Sequence, residues 1–180
     1  MALTSIQVEK IFNASFSGSH NTCLQGGFDE PEYTPSSVDS SAQIGYKFDY
    51  VQSALHEVAH WCIAGQTRRN QLDYGYWYAP DGRNTEQQKS FFLVESRPQG
   101  LEWIFSSAAG LSFLPSVDNL NLQSGASDLL PHYFVEEMKH CAIEYLDENK
   151  PTRANQFISA LQKMSGESLI PVTKIIEMQF

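Results

Sequence analysis

The sequence predicts an α+β fold: a single helix-dominated domain spanning residues 1–180, with a small β-sheet. Three observations carry this. Apolar residues recur at helical spacing in most of the legible stretches. Extended signals are confined to a few short pieces. The chain of 180 residues, 42% hydrophobic and 12% aromatic, is the size of one well-packed core.

The elements follow in order. Ile6, Val8, Ile11, Phe12 and Phe16 space a first helix that ends near Gly18. Residues 17–41 are rich in Gly, Ser, Pro and Asp, with Pro31 and Pro35 inside, and read as a long loop with one extended piece at Glu32 to Thr34. A second extended piece is expected near Ile44. The clearest helix runs from about Phe48 to Ala64, where Val51, Ala54, Leu55, Val58, Ala59, Cys62 and Ile63 repeat at i, i+3, i+4, i+7 before Gly65. Tyr74, Tyr76, Trp77 and Tyr78 then crowd a predicted strand that ends in a Pro-Asp-Gly turn. Asn84 and Gln87 are placed to cap the helix TEQQKSFFLVES, which Pro98 either kinks or separates from LEWIFSSAAG. After a loop over residues 111–130, Pro131 and Pro151 open the last two helices, and Gly166 stops the second. From Ser165 onward no feature is legible.

A net charge of −9 and a pI near 4.9 leave no basic stripe to displace counterions from phosphate, so a direct nucleic-acid partner is not expected. A cationic substrate or basic partner suits this field better. No basic leader is followed by an apolar run, and no run approaches a membrane span, so a cytoplasmic protein is expected. Cys23, Cys62 and Cys141 are far apart and form no C-x-x-C, which fits reduced thiols.

Inside the clearest helix stands His56-Glu57-Val58-Ala59-His60, an H-E-x-x-H pattern. On a helix, residues four apart stack on one face about 6 Å apart, which lets two imidazoles share one metal ion. Both histidines lie on the shoulder of the apolar stripe, where an unpartnered ring nitrogen would be costly and an ion would satisfy it. The blander reading is a pair of core histidines bonded to carbonyls. Given a metal, the fold centres on a metal-binding H-E-x-x-H helix.

The residues leave the metal chemistry open. A metzincin is excluded, because Ile63 and Gln66 stand where it needs a Gly and a third His. Other zinc peptidases take a carboxylate from a downstream helix, and Glu95 and Glu102, seven apart, share one helical face. Glu57 would then be the general base. Two histidines and one carboxylate equally describe the facial triad of non-heme iron(II) oxygenases. A di-iron bundle would pair Glu57 and His60 with a second E-x-x-H at Glu137 and His140, and would also need a carboxylate near Glu9. A structural metal in a binding module is a further alternative. His20 and His132 read as surface or capping groups.

Several stretches together resemble the bacterial elongation factor P hydroxylase family: IFNASF, NTCL, DEPEYTP, SALHEVAHWCIAG, LDYGYWYAPDGR, VESRPQ with LEWIFSSAAG, and DNL. The resemblance runs from about residue 6 to 165, and HEVAHWCIAG with GYWYAPDGR is far more specific than H-E-x-x-H alone. It implies hydroxylation of a β-lysylated lysine on elongation factor P, with molecular oxygen as co-substrate. It also implies a metal, expected to be iron(II) although another divalent ion would fit, held by His56, His60 and Glu95. Glu57 is then expected to orient water, oxygen or substrate. No 2-oxoglutarate site is expected. Asp29, Glu30, Glu32, Asp49, Asp73 and Asp81 are the carboxylates placed to receive the ammonium groups of such a substrate.

Overall fold

The computed structural model describes residues 1–75, 85–116, 131–147 and 150–180. Within them the architecture is α+β, with helices packed around a three-stranded sheet. Among the described residues no helix is long and apolar enough to cross a membrane.

Helix α1 (Ser5–His20) starts in a capping box: Gln7 N–H donates to the Thr4 hydroxyl and Thr4 N–H donates to the Gln7 side chain. It buries Val8, Ile11, Phe12 and Phe16, and it runs past Gly18 to a left-handed cap at Asn21.

The sequence reading of residues 17–41 as a loop is corrected by strand β1 (Thr22–Phe28). Its two glycines hid it: Gly27 takes φ +98°, and Gly26 is required by packing. A Cβ at Gly26 would lie 2.5 Å from the Tyr46 ring and 2.7 Å from the Phe48 carbonyl. Strand β2 (Glu32–Thr34) and strand β3 (Ala42–Lys47) fall where extended pieces are expected. The order is β1-β3-β2, with β1 parallel and β2 antiparallel to the central β3, whose Ile44 is fully buried.

Helix α2 (Val51–Ile63) follows β3 directly. The strand expected at 72–78 is not formed over its described part. Leu72–Gly75 is a tight 3-10 turn in which Asp73 and Tyr74 take φ of +46° and +57°. Tyr76, Trp77 and Tyr78, the Pro-Asp-Gly turn and the Asn84 cap lie outside the described residues.

Helix α3 (Thr85–Ala108) is continuous through Pro98, which resolves the alternative left open by the sequence. Its neighbour Gln99 ties Ser116 back to the helix through both amide atoms. Gly100 lets α4 (His132–Leu146) approach closely: a Cβ there would stand 3.0 Å from the Met138 carbonyl. Helix α5 (Thr152–Ser165) ends at Gly166 with φ +76°. Past the last legible residue, α6 (Val172–Glu177) buries Ile175, and Phe180 packs edge-on against Trp103. Prolines 131, 151 and 171 stand at the N-caps of α4, α5 and α6.

The main apolar cluster gathers α1, α2, α3 and α5 around Trp61, Phe12, Phe16, Phe105 and Phe157. It holds α2 between this aromatic core and α3.

Candidate metal centre

Three side chains converge where α2 crosses α3. His56 and His60 sit one turn apart on α2, and Glu95 faces them from α3. The two Nε2 atoms are 3.0 Å apart, and Glu95 Oε2 lies 3.3 Å from one and 3.4 Å from the other. Three electron-rich atoms at such a spacing repel unless a proton or a metal cation joins them. With ligand bonds of about 2.1 Å, neighbouring donors stand about 3.0 Å apart in an octahedral site and about 3.4 Å in a tetrahedral one. The observed edges fall in that range.

Burial sharpens the point. Glu95 is 3% exposed, and its Oε2 has no hydrogen-bond partner among the described residues. An orphaned buried carboxylate oxygen is costly, and an ion in the triangle would remove that cost. Burial alone would push the Glu95 carboxyl up, but the imidazoles of His60 and His56 outweigh it and hold the group far below the usual carboxylate range.

Glu102 takes a different part. It also projects from α3 but accepts a hydrogen bond from His56 Nδ1 at 2.8 Å, on the side of the ring away from the triangle. A proton fixed on Nδ1 leaves Nε2 with its lone pair toward an ion, the usual carboxylate–histidine–metal relay. The seven-residue spacing of Glu95 and Glu102 puts both on one face, and register on α2 separates their roles.

Glu57 is half-buried beside the pair, and burial raises its carboxyl above the usual value against the pull of His56 and His60. The Tyr74 ring lies parallel to His60, with centroids 6.3 Å apart and planes within 11°. The sequence places Tyr74 only among a group of aromatics on a predicted strand. Nothing local in a sequence shows that a 3-10 turn will carry it to His60.

Other expected groups are elsewhere. The second E-x-x-H supplies no ligand: Glu137 is exposed, and His140, 65% exposed, pairs with Glu144 along α4. Glu9 accepts hydrogen bonds from Gly26 N–H and the Tyr46 hydroxyl. Among the described residues, His56, His60 and Glu95 form the one cluster of metal-binding geometry. Of the carboxylates expected to meet ammonium groups, Asp73 accepts from Tyr33 N–H and Glu30 pairs with Lys47. Asp29, Glu32 and Asp49 are exposed, and Asp81 lies outside the described residues. His132 is exposed, while His20 packs edge-on against Phe16 and Trp61.

The sequence matches the profile of the elongation factor P hydroxylase family over residues 11–174. It is 41% identical over 152 residues to the elongation factor P lysine hydroxylase of Haemophilus influenzae, which covers 84% of this chain and 83% of that protein. On this match the chain belongs to the elongation factor P hydroxylase family.

Proposed function

We propose that this protein is an oxidoreductase that hydroxylates the β-lysyl-modified lysine of elongation factor P, with molecular oxygen as oxidant. We further propose that residues 1–180 act as one domain in the bacterial cytoplasm. The observation that carries the reading is the triangle of His56, His60 and Glu95, in a chain whose 41% identical relative bears the name elongation factor P lysine hydroxylase.

His56 Nε2, His60 Nε2 and Glu95 Oε2 would hold iron(II), or another divalent ion of similar size. Iron(II) bound by two histidines and one carboxylate, with positions left open, supplies the activation of oxygen. The chain's own residues do the rest. Glu102 fixes the tautomer of His56. Glu57 lies one residue from His56 and is proposed to orient the substrate or a water beside the ion. The net charge of −9 draws a doubly aminated, cationic substrate arm, with exposed Asp29, Glu32 and Asp49 as first points of contact.

The test is intact mass spectrometry of β-lysylated elongation factor P after incubation with the protein, loaded anaerobically with iron(II) and then exposed to air. A product one oxygen atom heavier is expected with the wild type and not with His56→Ala. An unchanged mass with and without an added reductant would remove the hydroxylase reading. A Glu57→Gln protein that keeps its metal and loses peptide hydrolysis would put a zinc peptidase in its place.

A further inference from the structure

Between β3 and α2 the chain breaks two local rules within three residues. Phe48 takes φ +45°, a left-handed conformation that glycine and asparagine adopt readily and a bulky ring does not. Tyr50 is the N-cap of α2 and makes no side-chain bond to the helix, where serine, threonine, aspartate or asparagine would pair a free backbone N–H. The backbone here is firmly held. Phe48 N–H donates to the Phe28 carbonyl at 2.9 Å, Gly27 N–H to the Phe48 carbonyl at 2.8 Å, and Tyr50 N–H to the Lys47 carbonyl at 3.1 Å. The turn is thus set by backbone bonds to β1 and β3.

Both rings are turned outward. Phe48 is 43% exposed and Tyr50 52%, and they meet edge-on with centroids 5.5 Å apart. Residues that suit the local backbone better exist for both positions, and about half of each ring stays in water, so the use of the pair lies outside the chain. The surroundings fix the kind of partner. Asp49 stands between the rings in sequence and is exposed. Asp29, also exposed, follows Phe28, which pairs with Lys47, and exposed Glu32 pairs with Gly45, so both carboxylates flank the last residues of β3. The Phe48 ring already faces an ammonium, that of Lys47 at 5.8 Å, with Glu30 as its carboxylate at 3.0 Å. Aromatic faces rimmed by carboxylates are complementary to a surface that carries ammonium groups. The patch also stands at the end of α2 where the metal cluster is most open. Tyr50 precedes His56 by six residues, about 9 Å along the helix axis, and the His56 side chain is 22% exposed against 11% for His60.

We propose that Phe48 and Tyr50, with Asp49 between them, form the docking surface for the protein substrate: they seat the body of elongation factor P beside its modified lysine, so that the cationic arm is delivered to the cluster further along α2. The inference rests on the proposed function. It adds a contact outside the metal centre, one that selects a folded protein over a free aminated side chain.

The test measures binding of β-lysylated elongation factor P to the iron(II)-loaded full chain by isothermal titration calorimetry without oxygen, so that no turnover occurs. The variants are Phe48→Gly and Tyr50→Ser, each of which gives the backbone a residue its conformation favours. Their melting temperatures should stay within about 4 °C of the wild type or exceed it, whereas their affinity for elongation factor P should fall about tenfold or more. Unchanged affinity in both variants overturns the proposal. A larger fall in melting temperature in both also overturns it, because the rings would then serve the fold; if one variant alone is destabilised, the other decides. A wild type that sediments as a dimer, with monomeric variants, would make the patch a contact between copies of this chain and overturn the docking assignment. Admitting oxygen separates this inference from the reading beneath it. Product formed by a wild type whose variants bind equally well sinks the docking surface alone, and a wild type that neither binds nor hydroxylates elongation factor P sinks both.

Discussion

Helix α2 has two buried faces built on opposite principles. One presents Trp61 to Phe12 and Phe16, with ring centroids 5.1 and 4.9 Å away, and the Arg153 guanidinium closes the helix end on the carbonyls of Trp61, Cys62 and Ala64. Arg153 also lies over the Trp61 ring at 4.8 Å. On this face apolar surface is covered and the last carbonyls are paired, although Trp61 Nε1 and Arg153 Nε are buried without a hydrogen-bond partner among the described residues. The other face presents His56 and His60 to Glu95 and Glu102, and holds a buried carboxylate oxygen without a hydrogen-bond partner among the described residues. One face is thus built of apolar and aromatic contacts, and the other gathers three side chains that could hold a metal ion. Polar groups so placed are tolerated because the aromatic face fixes the helix rigidly enough to hold them.

The comparison can be broken most decisively at Glu95. Glu95→Gln should lose cobalt(II) or iron(II) on desalting, because an amide is a poor ligand. The melting temperature of the metal-free variant should equal or exceed that of metal-free wild type, since the amide N–H can donate to the facing imidazole. Retained metal, or a fall in metal-free stability, would mean that this face supports the fold as the other does.

At Trp61 the effect should be reversed. Trp61→Ala removes the centre of the aromatic face and should cost about 3–5 kcal/mol in denaturant unfolding. If that variant unfolded as the wild type does, the division of labour along α2 would fail.

Glu102 sharpens the picture within the polar face. Glu102→Gln should weaken metal binding about 10- to 100-fold and leave the stoichiometry intact, as expected for a residue that orients a ligand without being one. Complete loss of metal would instead make Glu102 a ligand, and an unchanged affinity would make its bond to His56 incidental.

The smallest effect concerns the thiols. Burial pushes Cys62 up to about 12 and Cys141 up to about 11, while Cys23 is only half-buried. At pH 8, Ellman's reagent should titrate Cys23 in the folded protein and all three cysteines only after denaturation. Rapid modification of Cys62 would show that the apolar face opens more readily than its packing implies.

How much was legible follows from how local each signal is. The helices α2, α4 and α5 declare themselves because apolar spacing, proline at the start of α4 and α5, and glycine just past α2 and α5 are properties of neighbouring residues. β1 was missed because the glycine that looks like a loop signal is required by the Tyr46 ring and the Phe48 carbonyl, both about twenty residues away. α6 and the anchoring of Phe180 were missed for the same reason: Trp103 and Phe113, against which Phe180 packs, lie far away in the chain.

The sequence by itself determined that two histidines would share a helical face, that Glu95 and Glu102 would share another if the helix ran on through Pro98, and which family the motifs resemble. Those facts depend on the pitch of an α-helix and on residue identity alone. Only the tertiary structure decided which carboxylate meets both Nε2 atoms and which meets His56 Nδ1, and only it brought Tyr74 to His60. These depend on the relative register of α2, α3 and a strained turn. That register is set by long-range packing: the aromatic core on the far side of α2, the contact of Gly100 with α4, and the Asp73–Tyr33 tie.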